Sequence, residues 1–161
     1  MNGNKNEVKL ETGTLDNLKT LFGKQIPSIK VGVLGAKANR KGKENNAYIG
    51  LIHEFGRIKG TPKMPKRSFL RMPLNEKFPD KIKENESYLK SIFEEGLKNN
   101  NLSKVWKTIG QMAVDVIKEA FVTKGFGKWK SNASSVVEKK GVDSPLVDTT
   151  QLQNSITYKV K

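Results

Sequence analysis

Two consecutive stretches of helical periodicity dominate the second half of this chain, and any fold must bury both of their apolar faces. The first covers 79–98, with Pro79 in its first turn, and the second covers 103–123, with Ser103 placed to cap it. Their faces consist of Ile82, Leu89, Ile92, Phe93 and Leu97 in the first stretch, and of Val105, Trp106, Ile109, Ala113, Val116, Ile117, Ala120 and Phe121 in the second. Because only the link KNNNLS separates them, we expect an antiparallel pair of long helices.

Two alternating stretches predict a small sheet. Residues 29–35 and the terminal segment SITYKVK both alternate in the manner of a strand. Each strand needs a partner, so we expect these two to pair. A short helix, with Asp148 and Gln151 at the spacing of a capping box, should lead into the last strand. The predicted fold class is α+β: a small, mostly antiparallel sheet packed on one face by two long antiparallel helices, with further short helices.

The remaining predicted elements are short. Tyr48, Leu51, Ile52 and Phe55 form an apolar stripe, which predicts a helix that docks on the sheet by this stripe and ends at Gly56. A further short helix is expected over 15–22, capped by Thr14, and a short helix or a turn within 67–77. Loops are expected over 36–46 and 57–66, and 124–148 should be mostly loop.

Length and charge set broad limits on the class of protein. The 161 residues suffice for one domain with a hydrophobic core, so we treat 1–161 as a single domain in which residues 1–13 are loosely ordered. No cysteine, no apolar signal core and no apolar run of the ~20 residues in a membrane span is present, so no membrane partner is expected. The formal net charge of +14 favours an anionic partner, either nucleic acid or an acidic protein face.

The sequence offers no clear catalytic constellation. His53 is the sole histidine and precedes Glu54, but Arg57 breaks the HExxH pattern, and a zinc site would lack its usual histidine and cysteine ligands. The glycines of GVLGAKANRKGK fit neither a phosphate-binding loop nor a dinucleotide-binding motif. We therefore expect a protein that is not an enzyme, with no catalytic residues, no metal site and no cofactor.

Basic loops interleaved with aromatic residues leave a nucleic-acid-binding function open. The loops are 37–43, 57–71 and 124–130, and the aromatic residues are Phe55, Phe69, Phe126 and Trp129. Lys and Arg around stacking aromatics are a common way to hold single strands. No helix-turn-helix, zinc finger or RNA-recognition motif accompanies them. A soluble nucleic-acid-binding protein that uses its basic loops is thus the alternative function.

Two motifs occur in order along the chain: AYIGLIHEFG with PKMPKRSFLR, and later GKWKSNASSVVEKKG with SPLVDTTQLQNSITYKV. This pattern resembles phage virion-morphogenesis and tail-completion proteins, over about residues 29–161. The first motif places His53, Phe55, Gly56, Pro65, Arg67, Phe69 and Leu70, and the second places Trp129, Lys140, Gly141, Pro145, Leu146, Asp148, Thr149, Leu152, Ser155 and Ile156. Thr150 stands where the family usually has glycine, so we expect the turn before the last helix to be rebuilt.

The resemblance implies a structural virion protein without catalytic residues, located at the neck and assembled in the host cytoplasm. The resemblance implies a protein that works as a ring, which completes the tail or joins it to the portal. The implied partners are copies of itself, for instance in a hexamer, the portal, connector or adaptor proteins, and the tail tube or tail-terminator proteins. The positive charge would face packaged DNA without reading its sequence, or else the acidic faces of adjacent ring proteins.

The proline-bracketed basic segment after Gly56 is the predicted contact surface. Prolines limit its backbone freedom, so it should lose less entropy on docking than a floppy loop. We expect Arg67 to pair with a carboxylate of a neighbour and Phe69 and Leu70 to fill an apolar pocket; the alternative is that both apolar side chains fold into this domain's own core. The predicted interface residues are Arg57, Lys59, Lys63, Lys66, Arg67, Phe69, Leu70 and Arg71.

Overall fold

The computed structural model describes Thr20, Gly23 and residues 27–39, 44–57, 63–141, 143, 145–146 and 150–161. Residues 1–13, predicted to be loosely ordered, lie outside the described residues. So do Thr14 and, except for Thr20, the helix expected over 15–22. The elements, in chain order, are β1 (Ile29–Val33), a 3-10 helix (Gly35–Ala38), α1 (Asn46–Phe55), α2 (Arg71–Glu76), α3 (Phe78–Glu84), α4 (Glu86–Lys98), α5 (Ser103–Val122), α6 (Ser134–Lys140), α7 (Gln151–Asn154) and β2 (Ile156–Val160). The fold is α+β, as predicted.

The sheet joins the first and last described elements. β1 and β2 run antiparallel, from Ile29 opposite Val160 to Val33 opposite Ile156. Two backbone hydrogen bonds of 2.9 Å between Ser28 and Lys161 extend the ladder by one pair. The predicted pairing of the two strands is therefore confirmed.

Helix α5 is the centre of the fold, because both strands and helices α2, α3 and α4 pack against it. The main hydrophobic cluster consists of Phe69, Val114, Ile117, Ala120, Phe121, Trp129, Leu152 and Ile156. The sheet approaches α5 closely at Gly110, where the ring of Tyr158 occupies the space that a Cβ would need. The long helix thus contributes its C-terminal half to this cluster and its middle to the sheet.

A second hydrophobic cluster lies between α4 and α5. It is built from Ile92, Leu97, Leu102 and Val105, with Leu89, Phe93, Trp106 and Ile109 packed around them. All of these except Leu102, which lies in the link, are on the faces that the periodicity predicted, so the helical hairpin forms as expected. Gly96 lets the α4–α5 turn fold back closely, because a Cβ there would lie 2.8 Å from the Asn101 carbonyl oxygen.

Several predicted boundaries are corrected. The stretch 79–98 is two helices, which break at Asn85, where the side-chain amide donates to the Lys81 carbonyl at 2.8 Å. Ser103 is not the cap of α5; its N–H donates to Oδ1 of Asn101 at 2.9 Å. The stretch 124–148, predicted to be mostly loop, contains α6, which ends at Gly141 with φ +71°.

Helix α1 docks by the face opposite to the predicted one. Tyr48, Leu51 and Phe55 are 46%, 56% and 53% exposed, whereas the buried positions are Asn46, Gly50 and Glu54. Ile52 is half-buried at the margin. The apolar stripe therefore faces outward instead of docking the helix on the sheet.

The inner face of α1 is held by polar groups and by one close contact. The side-chain amide of Asn46 donates to the carbonyls of Lys37 and Asn39 at 3.2 Å each. At Gly50 an added Cβ would lie 3.2 Å from the Phe69 ring, so glycine lets the ring pack closely against the helix, and a side chain here would push the ring away by a few tenths of an ångström. Gly56 ends the helix as predicted, with φ +79° and its N–H donating to the Ile52 carbonyl at 2.7 Å.

Candidate interaction surface

A buried glutamate connects α1 to the segment that follows the basic loop. Oε1 of Glu54 accepts from Ser68 Oγ at 2.6 Å and from the N–H and Nε of Arg71 at 3.2 and 3.0 Å. Oε2 accepts from the N–H groups of Phe69 and Leu70 at 2.9 Å each. These N–H groups open α2, where backbone donors lack partners within the helix. The carboxylate therefore caps α2 and fastens it to α1.

The protonation state of Glu54 follows from this arrangement. Burial alone would raise the pKa of its carboxyl group, but the hydrogen bonds from Ser68, Leu70 and Arg71 outweigh burial. The pKa of Glu54 consequently lies below its ordinary value. The group is an ionised structural anchor at neutral pH, with both oxygens engaged.

Arg67 is an internal connector. It is only 5% exposed, and its Nε and Nη2 donate to the carbonyls of Lys130 and Ser131 at 2.9 and 3.0 Å. Its backbone N–H donates to the His53 carbonyl at 2.8 Å. Burial lowers the pKa of Arg67, and the charge of Asp143 opposes that shift. The expected pairing of Arg67 with a neighbouring protein is thus corrected, because the side chain is buried and its Nε and Nη2 donate to carbonyls of the same chain.

Phe69 is likewise part of the core. It is fully buried, and its ring lies 5.3 Å from that of Phe121, centroid to centroid. Leu70 is half-buried, and its side chain lies over Gly32 of β1. The structure therefore corrects the expectation that these residues anchor a partner and agrees with the alternative that they pack within the domain.

The segment around Arg67 packs against the turn KGFGKW, which follows α5. Lys124, Gly125, Phe126 and Gly127 all have positive φ, between 53° and 78°, which makes a left-handed turn. The Trp129 ring lies against Gly125, where a Cβ would overlap it, and its Nε1 donates to the Ser68 carbonyl at 3.3 Å. The two sequence motifs, about sixty residues apart, therefore meet in space.

The C-terminal motif residues are also internal. Pro145, Leu152, Ser155 and Ile156 are buried, and Leu146 is half-buried. Asp148 and Thr149 lie outside the described residues, so the proposed capping role of Asp148 is not described.

The turn at Thr150 keeps the conformation that glycine would favour. Thr150 has φ +56°, and its Oγ1 accepts from the Asn154 side-chain amide at 3.2 Å. The expectation that this turn is rebuilt is therefore corrected: the left-handed backbone is retained despite the Cβ.

The two ends of the basic loop after Gly56 pair with each other, and this paired segment is called the basic hairpin. Arg57 and Met64 form an antiparallel bridge with hydrogen bonds of 2.9 and 3.0 Å. Lys63 and Lys66 are exposed, and Arg57 and Pro65 are half-buried. Lys59 belongs to segment 58–62, outside the described residues.

Beside this hairpin, α1 presents an apolar surface. We define the α1 platform as Tyr48, Leu51 and Phe55 together with Arg71, whose guanidinium carbon lies 4.3 Å from the Phe55 ring centroid. A mostly apolar groove of about 200 Å³ lies along the platform, lined by Val33, Ala47, Gly50, Leu51, Phe55, Phe69 and Leu70 and by the Glu54 carboxylate, which is already hydrogen-bonded within the chain. The platform is exposed although the chain buries comparable side chains elsewhere.

A second, polar cleft contains the other side of Arg71. This cationic cleft has a volume of about 380 Å³ and is lined by Lys66, Ser68, Arg71, Asn75, Glu76 and Lys128. Lys128 pairs with Glu76 across it. Arg71 thus lies between an apolar groove and a cleft of positive charge.

Sequence reasoning missed both Glu54 as an anchor and the outward direction of the stripe. The available signal was the spacing of Asn46, Gly50 and Glu54, which share one helix face at intervals of four. A face made of a small residue and two hydrogen-bonding residues can be buried when the segment packed on it supplies backbone donors and acceptors.

Within the described part of the chain, no group of three or more His, Asp or Glu side chains could hold a metal ion, and no helix is both long and apolar enough to cross a membrane. Comparison with known proteins finds no family model, no curated protein and no solved structure that matches this chain.

Proposed function

We propose that this protein is a structural virion component of a tailed phage: a ring-forming neck or tail-completion protein that joins the tail to the portal or connector. The observation that carries the proposal is the α1 platform. Exposed apolar side chains that lie together, bordered by charged residues, are typical of a surface that another macromolecule covers. Such a surface suits an assembly part better than a free monomer.

The internal roles of the motif residues support the resemblance to tail-completion proteins. Arg67 and Trp129 each bond to the other motif's segment, so the motifs form one structural unit and not two separate sites. Structural use of the recurring residues is what a non-catalytic scaffold requires. It also supports the proposal that the protein is not an enzyme, because Glu54, the carboxylate beside His53, is committed to capping α2.

The proposed partners follow from the same role. They are sister subunits in the ring, the portal, connector or adaptor proteins on one side, and the tail tube or tail-terminator proteins on the other. The net charge of +14 suits contact with packaged DNA or with acidic protein faces. The proposed location is the neck of the virion, after assembly in the host cytoplasm.

The alternative of a nucleic-acid-binding protein is less well supported by the side-chain positions. Phe69 and Trp129 lie in the core, so neither can stack on a base. Phe126 is half-buried with the Lys77 ammonium 5.4 Å from its ring centroid. Of the four aromatic residues that suggested single-strand binding, only Phe55 is exposed.

Imaging of phage particles that contain this chain tests the proposal. We expect several copies in a ring between portal and tail, and separated heads and tails when the coding sequence is disrupted. Joined, infectious particles that lack the chain would rule the proposal out. Submicromolar binding of the isolated protein to DNA at physiological salt, with a steep salt dependence, would favour the alternative.

A further inference from the structure

Arg71 is held in one orientation by two different contacts. Its Nε donates to Glu54 at 3.0 Å, and its guanidinium lies over the Phe55 ring. Its side chain is nevertheless 54% exposed, and among the described residues Nη1 and Nη2 have no hydrogen-bond partner. A guanidinium oriented in this way can bind a carboxylate through two parallel hydrogen bonds with little loss of side-chain entropy.

The groove next to Arg71 suits an apolar side chain. Its lining includes the exposed side chains of Leu51 and Phe55 and the half-buried side chains of Val33 and Leu70. A ligand that places an apolar side chain there and a carboxylate at Arg71 would span both concavities. The combination of a buried apolar anchor and an adjacent charged pair is typical of the centre of a protein interface.

The charge around the platform indicates what kind of protein fits. Among the described residues of 27–75, seven are Lys or Arg and two are Glu, and each set includes one buried member, Arg67 and Glu54 respectively. Two copies of this basic region would repel each other if their platforms met face to face, so the ring contacts between sister subunits are expected on other surfaces. An acidic partner instead gains from the positive charge at the platform.

We propose that the α1 platform docks an acidic, amphipathic segment of a different protein, with an apolar side chain in the groove and an Asp or Glu side chain on Arg71. This inference rests on the proposed assembly function, since it names the chemistry of one partner in the neck. Lys66, an exposed residue of the cationic cleft, would receive a further carboxylate of the same segment.

Selection from a displayed library of random peptides, each long enough for about four helical turns, tests the inference with the intact protein as bait. We expect the enriched peptides to combine Asp or Glu with Leu, Ile or Phe at helical spacing. Their affinity should fall about ten-fold or more for Leu51→Ser and for Arg71→Lys, which keeps the charge but loses the planar fork.

Tyr88→Ser is the matched control, because Tyr88 is 50% exposed on α4, away from the platform residues in the chain, and its loss should leave binding unchanged. Enrichment of peptides without acidic residues, no enrichment at all, or equal binding by the Leu51→Ser variant would each overturn the inference. Since Leu51 is exposed and Arg71 contacts Glu54, the Leu51→Ser result is decisive if the Arg71 variant proves unstable.

Two further outcomes would name a different occupant and so overturn the inference. One is a mass in solution above that of a monomer that returns to the monomer value for Leu51→Ser. The other is binding of a DNA duplex that weakens for Leu51→Ser.

The proposed function can fail separately. Particles with the chain at the neck and the α1 platform facing solvent would refute this inference alone. Acidic peptides that bind the platform of a chain missing from complete particles would refute the neck location alone.

Discussion

The helical hairpin α4–α5 and the α1–α2 unit, which runs from α1 through the Arg57–Met64 bridge to α2, are stabilised in different ways. In the hairpin the apolar residues Ile92, Leu97 and Val105 are buried, and the Glu95–Lys104 ion pair lies outside. In the α1–α2 unit the buried groups include Glu54 and Arg67, while the apolar stripe faces outward. The first region is held by apolar burial, whereas the second adds a set of buried hydrogen bonds to the apolar contacts of Phe69.

The difference has a consequence for assembly. In the helical hairpin most large apolar side chains are buried, and those exposed, Tyr88 and Val122, lie singly on different helices. A region fastened internally by a charged group and backbone donors can leave its apolar side chains available on the surface. Glu54 fastens α1 to α2 through hydrogen bonds from the Phe69 and Leu70 N–H groups. The side chains of the α1 platform are therefore not needed to hold α1 in place, and they stay exposed.

The largest expected effect comes from removing that anchor. Glu54→Ala should lower the free energy of unfolding by about 3 kcal/mol, because it leaves the N–H groups of Phe69 and Leu70 and the Ser68 hydroxyl without their acceptor. Urea unfolding followed by circular dichroism measures the loss. Glu95→Ala, at an exposed ion pair of the other region, should change stability by less than about 1 kcal/mol. Equal effects at the two glutamates would remove the contrast.

A smaller effect is expected when the charge is kept and the geometry is lost. Arg67→Lys should lower stability by about 2 kcal/mol, since an ammonium cannot reproduce both hydrogen bonds to the carbonyls of Lys130 and Ser131. The measurement is again urea unfolding, with Lys66→Ala at the exposed neighbouring position as the control. A variant as stable as the native protein would show that the two motifs are not joined through this side chain.

The contrast should also depend on pH. Because the folded-state pKa of Glu54 is lowered, its contribution to stability is complete above the unfolded-state value of about 4.3 and is lost as pH falls through the folded-state pKa. The native protein should therefore lose more stability than Glu54→Gln between neutral pH and about pH 3. Parallel unfolding curves for the two proteins across this range would argue against an ionised anchor.

The smallest effect is expected on the platform itself. Leu51→Ser should change the stability of the isolated chain by no more than about 0.5 kcal/mol, because Leu51 is mostly exposed. Leu97→Ser, the same substitution in the second cluster, should lower stability by at least about 2 kcal/mol. Thermal or urea unfolding of both variants checks this. A large loss for Leu51→Ser would mean that the stripe is covered within the chain.

The sequence allowed the regions of apolar burial to be predicted, and it misled where polar groups are buried. The faces of α4 and α5 and the pairing of β1 with β2 follow from periodicity and from the need of each strand for a partner. The same rule applied to α1 chose the wrong face, because Gly50 and Glu54 carry no apolar signal. Their burial depends on donors and on a ring from residues 68–71, which no local pattern in α1 contains.

For a related reason, the sequence predicted only part of the candidate site. The segment after Gly56 was recognised by its basic residues and prolines, and Arg71 does lie at the surface. Arg67 and Phe69 were placed on that surface because charge and aromatic character suggest contact with a partner. Their burial depends on the turn at Lys124–Gly127, far along the chain, which brings two carbonyls to Arg67.

That left-handed turn offers a route to thermostabilisation. Lys124 and Phe126 adopt positive φ with a Cβ, at an intrinsic penalty of about 1 kcal/mol each. Lys124 is exposed, so an engineer could install glycine there and relieve the penalty without repacking the interior, giving up only a long ion pair with Asp143 at 3.5 Å. A more thermostable variant made in this way would leave the α1 platform unchanged for structural work on its complexes.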